Sequence, residues 1–223
     1  MASVFAKHMP KLYPFRFNGQ LVVGTIAGGT PTDPRVAEGW LKTKLGVDRD
    51  DLIREMVAEV MVERGVTADE ATQVVSENKH LNGFRRDEGG LYIEGRQLKA
   101  ALKEAASIAV AAGKLTARGW GKTNKGLLSY LSEHVFVVEE RLSLGVLEPS
   151  GIAQRFVHTF RGNGIQYEEY VTDAKIDFTV ITDHDFKAEE WAAIWTCGEQ
   201  NGLGASRSQG YGRYEVTKWD KAA

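Results

Sequence analysis

GLGASRSQGYGRYEVTKW, residues 202–219, sets four glycines at 202, 204, 210 and 212 around Arg207 and then passes into a strand-forming run. Glycine admits positive φ and close approach of another backbone. Residues 211–219 are rich in aromatic and β-branched side chains, which reads as a strand. The stretch is therefore a glycine-rich loop feeding a C-terminal strand. A loop of this composition can simply join a helix to an edge strand, or it can hold something against its backbone. Before it, residues 187–199 align Trp191, Ile194, Trp195 and Gly198 on one side, which predicts a helix with Asp185 as its cap.

Working upstream, KIDFTVIT (175–182) predicts a strand. Two further strands, 155–161 and 167–171, are joined by RGNGIQ, in which Asn163-Gly164 is a strong type I′ hairpin signal. Residues 127–147 give strand-like pieces around 134–139. LYIEGRQLKAALKEAASIAVAA (91–112) holds the strongest helix, from about Arg96 to a stop at Gly113. Its apolar stripe is Leu98, Leu102, Ala105, Ala109 and Ala112, and Arg96, Lys99 and Lys103 share another face. FRFNGQLVVGTI (15–26) predicts a first strand with a bend at Asn18-Gly19. An acidic helix over 48–64, stopped by Gly65, precedes a second one opened by a Thr67/Glu70 capping box and running to about residue 77.

Set in order, these elements give an α+β chain, a ferredoxin-like or RRM-like βαββαβ core with a helical insertion after the first strand. One domain is expected over 1–223, with the insertion at 33–90 and a second peripheral insertion at 114–150. The length suits one domain. No apolar run spans a bilayer, and the lone Cys197 has no internal disulfide partner. Both point to a cytoplasmic protein without membrane contact.

The net charge is −2, yet the charge is uneven: residues 79–126 hold 10 basic and 4 acidic residues, and 127–200 hold 5 and 13. Local patches attract phosphates, whereas the sum governs solubility and steering. Arg118, Lys122 and Lys125 lie in the glycine-rich segment TARGWGKTNKG, 116–126.

GLGASRSQGYGRYEV, placed after an amphipathic helix, is similar to the C-terminal glycine-rich signature of the RAMP superfamily. LYIEGRQLKAALKEAA (91–106) resembles the opening of the first core helix in CRISPR effector-complex backbone subunits, and FVHTFRGNGIQYEEYVTDAKIDFTVIT (156–182) resembles the hairpin and strand before their second helix. The resemblance implies a non-catalytic RNA-binding subunit of a CRISPR ribonucleoprotein, serving antiviral defense. Such a subunit grips guide-RNA phosphates and stacks head to tail with its own copies and other effector subunits. On this reading Gly202, Gly204, Arg207, Ser208, Gly210, Tyr211 and Gly212 form one half of the nucleic-acid surface. Arg96, Lys99 and Lys103 form the other, and Arg118, Lys122 and Lys125 add a peripheral lobe. Single-stranded DNA is an alternative ligand, and a RAMP-fold scaffold is an alternative role.

The same resemblance admits a RAMP-type endoribonuclease, with Asp33 in the loop after the first strand or His80 in NKHLNGFRR as the candidates for catalysis. An aspartate beside proline is more often a turn residue. The histidines at 8, 80, 134, 158 and 184 show no paired spacing. GKT (121–123) lacks the preceding glycine of a P-loop, and Arg207 stands where a dinucleotide fingerprint needs its third glycine. No Cys/His cluster suggests a metal, and no cofactor is expected.

Overall fold

The computed structural model describes residues 12–32, 42, 49–78, 81–116, 126–159 and 162–222. The chain forms two compact units: 1–26, 86–148 and 171–223 make the first, and 27–85 with 149–170 the second.

The first unit is the βαββαβ core. Its elements are β1 (Phe15–Ala27), α3 (Gly95–Ala111), β6 (Val135–Val137), the second half of β9 (Gly162–Thr182), α5 (Ala188–Asn201) and β10 (Tyr214–Lys221). The sheet runs β10-β1-β9, and β6 also pairs with β9. Numbered within the motif, that is the 4-1-3-2 order of a ferredoxin-like sheet. The order follows from alternation. Phe17, Leu21 and Val23 of β1 and Ile176, Phe178 and Val180 of β9 are buried. Period-2 spacing puts each set on one face of its strand. That face meets the helices: Trp191 lies edge-on to Phe17 at 5.4 Å, and Trp195 lies 5.5 Å from Phe178. Trp219 of β10 stacks on Phe17 at 5.0 Å. Gly19 makes room there, because a Cβ on it would enter the Phe178 ring. Burying aromatic area of this size stabilises the core by several kcal/mol, at about 1.5–3 kcal/mol for each large side chain removed from water.

On α3 the buried stripe is Leu98, Ala101, Leu102, Ala105, Ala106 and Ala109. Its small residues let α5 come close, and Gly198 of α5 leaves space for the Tyr214 hydroxyl. A small sheet, β4-β5-β7, joins β4 (Arg85–Asp87), β5 (Gly90–Glu94) and β7 (Arg141–Ser143), with β5 leading directly into α3.

The second unit holds α1 (Arg49–Arg64) and α2 (Ala68–Asn78), which close on Val60, Ala71 and Val75 with Met56, Val57, Met61, Val66 and Val74 around them. The capping box at Thr67 and Glu70 is made: Thr67 N–H donates to Glu70 Oε2 at 2.9 Å and Glu70 N–H to Thr67 Oγ1 at 3.4 Å. β2 (Thr30–Pro31) pairs antiparallel with β3 (Leu81–Gly83), and β3 pairs parallel with β9. The hairpin of β8 (Gly151–Thr159) with residues 162–170 of β9 completes this unit. Arg155 and Glu168 form a buried ion pair in it at 2.6 Å.

Several local expectations are corrected. Asn163 and Gly164 are not the hairpin turn. They pair in β9 with His158 and Val157, within the ladder rather than at its turn. The strands expected at 167–171 and 175–182 are one strand, broken only by Asp173 at φ 53°. An aspartate tolerates this left-handed conformation and so kinks the strand without ending it. The first strand's irregularity lies between Gln20 and Leu21 rather than at Asn18-Gly19. Residues 126–134 form a helix, α4 (Gly126–His134), that buries Leu127 and Leu131. Lys187, not Asp185, occupies the cap of α5. Its N–H donates to Glu190 Oε2 at 2.8 Å, while Asp185 accepts from Lys221 Nζ at 2.7 Å. The final strand begins at Tyr214, three residues later than read.

Candidate nucleic-acid interface

The glycine-rich loop leaves α5 at Gly202, whose N–H donates to Gly198 O at 2.8 Å. Two bonds close its base: Leu203 N–H to Gly212 O at 2.8 Å, and Gly212 N–H to Thr25 O at 2.7 Å. Leu203 is fully buried and anchors the entry. Gly212 has φ 77°, and a Cβ there would overlap the Leu203 carbonyl; one on Gly202 would fall 2.9 Å from the Gly212 carbonyl. These two glycines serve the fold. The tip is one 3-10 turn, Arg207–Gln209, closed by Gln209 N–H to Ser206 O and Gly210 N–H to Arg207 O, both 2.9 Å. Ser208 and Gly210 are exposed there, while Tyr211 is half-buried. Gly204, like Gly210, has positive φ.

The loop reaches α3. Arg207 Nη1 donates to Glu104 Oε2 at 2.6 Å, with both side chains partly exposed. The Arg207 hydrogen bond holds the Glu104 carboxyl below its ordinary range. Lys103, the next residue along α3, is exposed. The structure thus brings the loop and the basic helix together, through a side chain, Glu104, that the sequence reading did not single out.

The other cations differ. Arg96 is exposed and pairs with Glu94, which occupies the N-cap position of α3 without a side-chain capping bond. Lys99 turns inward. Its Nζ donates to Ser132 O at 2.8 Å and lies 3.8 Å over the Phe136 ring. Burial, and secondarily Lys103, pull its pKa down. Asp33, His80, Arg118, Lys122 and Lys125 lie outside the described residues.

On the sheet face away from the helices, Thr217 Oγ1 donates to Gln20 Oε1 at 3.0 Å, Gln20 Nε2 to Asp177 Oδ1 at 2.9 Å, and Thr179 Oγ1 approaches Asn18 Oδ1 at 3.4 Å. That face is a polar ladder. The rings of Phe17, Phe178 and Trp219 are committed to the core. An RRM reads bases with aromatics on its sheet, so the loop-and-helix side is the better candidate here.

A second arrangement escaped the sequence reading. Asp183, just past β9, accepts from Tyr130 Oη at Oδ1 and faces His134 Nδ1 at 2.6 Å through Oδ2. The Tyr130 and His134 rings stack at 4.4 Å with 12° between planes. Burial first, then Asp183, push the Tyr130 hydroxyl well above its ordinary value. His134 and Asp183 are 49 residues apart, so no spacing rule links them. Among the described residues, no group of three or more His, Cys, Asp or Glu side chains is placed to hold a metal ion, and no helix is long and apolar enough to cross a membrane.

No family model matches the chain, and no curated protein matches it. Among solved structures 94 chains match. One is a chain of the type III-B Cmr-beta bound to cognate target RNA, seen by cryo-EM, with TM-score 0.49 and 10% identity, covering 93% of this chain and 60% of that one. Another is a chain of a type IV-B CRISPR complex, with TM-score 0.44 and 9% identity, covering 93% and 90%. The chain therefore spans less than two thirds of the first of these.

Proposed function

We propose that this chain is a non-catalytic subunit of a CRISPR-type ribonucleoprotein that grips the phosphates of single-stranded guide RNA and assembles head to tail with further subunits. The observation that carries the reading is the Arg207–Glu104 contact, which sets the glycine-rich loop against α3 beside exposed Lys103. Two features that resemble the RAMP signature in sequence, far apart in the chain, thereby form one exposed surface. A guanidinium on a short loop suits a phosphate, because it can donate two parallel hydrogen bonds to the oxygens. The exposed hydroxyl of Ser208 at the tip adds a donor that carries no base preference. Arg118, Lys122 and Lys125, in the basic segment 116–126, are on this reading further phosphate contacts.

The test is fluorescence anisotropy with a labelled single-stranded RNA across a salt series, matched by a DNA strand of the same sequence. RNA is expected to bind, to weaken as salt rises, and to remain uncleaved with and without divalent metal. Arg207→Ala is expected to weaken binding roughly 3- to 10-fold for every sequence and to shallow the salt slope by about 0.7. RNA binding that is absent or indifferent to salt overturns the proposal. Preference for the DNA strand moves it to single-stranded DNA, and cleavage moves it to the endoribonuclease reading.

A further inference from the structure

The Tyr130–His134–Asp183 cluster plays no part in the grip proposed above, and its geometry is more specific than packing requires. One carboxylate fixes both polar edges: Oδ1 takes the tyrosine hydroxyl and Oδ2 the His134 Nδ1 edge at 2.6 Å. The two rings are thereby held nearly parallel, 4.4 Å apart. Tyr130 is braced in turn by His184 and Phe186, each with its ring centroid 6.1 Å away and steeply inclined. His134 is thus fixed along one edge by Asp183 and over one face by Tyr130, yet 37% of its side chain remains exposed. Its second polar edge carries Nε2. Beside that edge stands Glu133, with Oε2 3.9 Å from Nε2.

A flat ring held in place at a surface and partly open to solvent is suited to stacking. Its surroundings select the guest. The Glu133 and Asp183 carboxylates repel a phosphate, whereas a nucleobase face is uncharged and its exocyclic amino group can donate to a carboxylate. α4 also follows directly in sequence on the segment holding Arg118, Lys122 and Lys125. We propose that His134, held flat on Tyr130 by Asp183, stacks one unpaired amino-bearing base of the bound RNA, with Glu133 accepting from its amino group. The inference rests on the RNA-binding reading above. No covalent step is involved.

The experiment uses the full chain and a single-stranded oligoribonucleotide carrying 5-iodocytidine at one position at a time, since irradiation joins that base to an aromatic ring stacked on it. Wild-type protein is expected to crosslink through the peptide spanning 126–134, with the adduct on His134 or Tyr130. His134→Ala is expected to erase that adduct and weaken binding about 5- to 150-fold, the range of one base–aromatic stack. His134→Phe, which keeps a ring but has no bond to Asp183, is expected to restore most of the affinity. Arg207→Ala is expected to weaken binding while leaving the adduct in place. A wild-type adduct map without residues 126–134, or wild-type affinity in a folded His134→Ala, overturns this inference and leaves the RNA-binding reading standing. Failure of the wild-type chain to bind RNA overturns both. The wild-type map requires no variant to fold.

Discussion

Gly210 and Gly212 share a sign of φ within one loop and answer to different constraints. Gly212 sits at the closed base, where any Cβ would overlap the Leu203 carbonyl, while nothing lies within 4 Å of a Cβ at Gly210. Gly212→Ala is therefore expected to cost about 2–4 kcal/mol, adding a steric clash to a left-handed backbone, and Gly210→Ala only about 1 kcal/mol. Thermal melts of the two variants check the difference, and equal shifts would contradict it. The same contrast runs through the cations. Arg96, Lys99 and Lys103 share a face by helical spacing, and spacing cannot report what covers that face. α4 and β6 cover Lys99, so its ammonium bonds Ser132 O and faces Phe136, while Lys103 stays in water. His134 illustrates the opposite limit: its partner comes from the end of a strand that only the fold brings near.

At the scale of elements, those long enough to show a full period were legible. α1, α2, α3, α5 and β1 stand where their periodicity puts them, to within a few residues at their ends. Short elements were not. β4, β5 and β7 have three to five residues each, too few for alternation to register, and α4 has nine, with one buried pair, Leu127 and Leu131, to mark its inner side. The strands expected at 167–171 and 175–182 are one, because at Asp173 the backbone turns left for a single residue and the strand continues. The contact between loop and helix supports a prediction about competition. Glu104 holds the guanidinium that a phosphate would use, so Glu104→Gln is expected to raise RNA affinity about 2- to 5-fold, the worth of an exposed ion pair. Titrating both proteins with one RNA decides it, and unchanged affinity would show that Arg207 meets no phosphate. Arg207 lowers the Glu104 pKa from its ordinary 4.5. The pair's contribution is therefore complete above that value and is lost as pH falls through the lowered one. In the β8–β9 hairpin, Glu168→Ala leaves the buried Arg155 charge without its carboxylate. The expected loss is about 3–5 kcal/mol, read from the unfolding midpoint.

For the whole molecule, a net charge of −2 means that affinity for a polyanion has to come from local cations. On the proposed reading, Arg207, Lys103 and the three cations of 116–126 meet about four or five phosphates, which gives an expected slope of log affinity against log salt near −3 on single-stranded RNA. A slope near zero would mean that no phosphate is neutralised and would overturn the proposed grip. The fold class was readable because the order of strands and helices survives insertions. The division into two compact units was not, because one long strand, β9, contributes residues to both. The pinned base of the glycine-rich loop bears on how such a chain drifts over evolutionary time. Selection for folding acts on Gly202, Leu203 and Gly212, where backbones touch. The tip, 206–209, is free to change its side chains, and even its length, at little thermodynamic expense, since doubling a loop adds only about 0.6 kcal/mol. A lineage can therefore retune what the tip touches while the ring of contacts below it stays fixed, and two descendants can share a loop closure while sharing almost no residues.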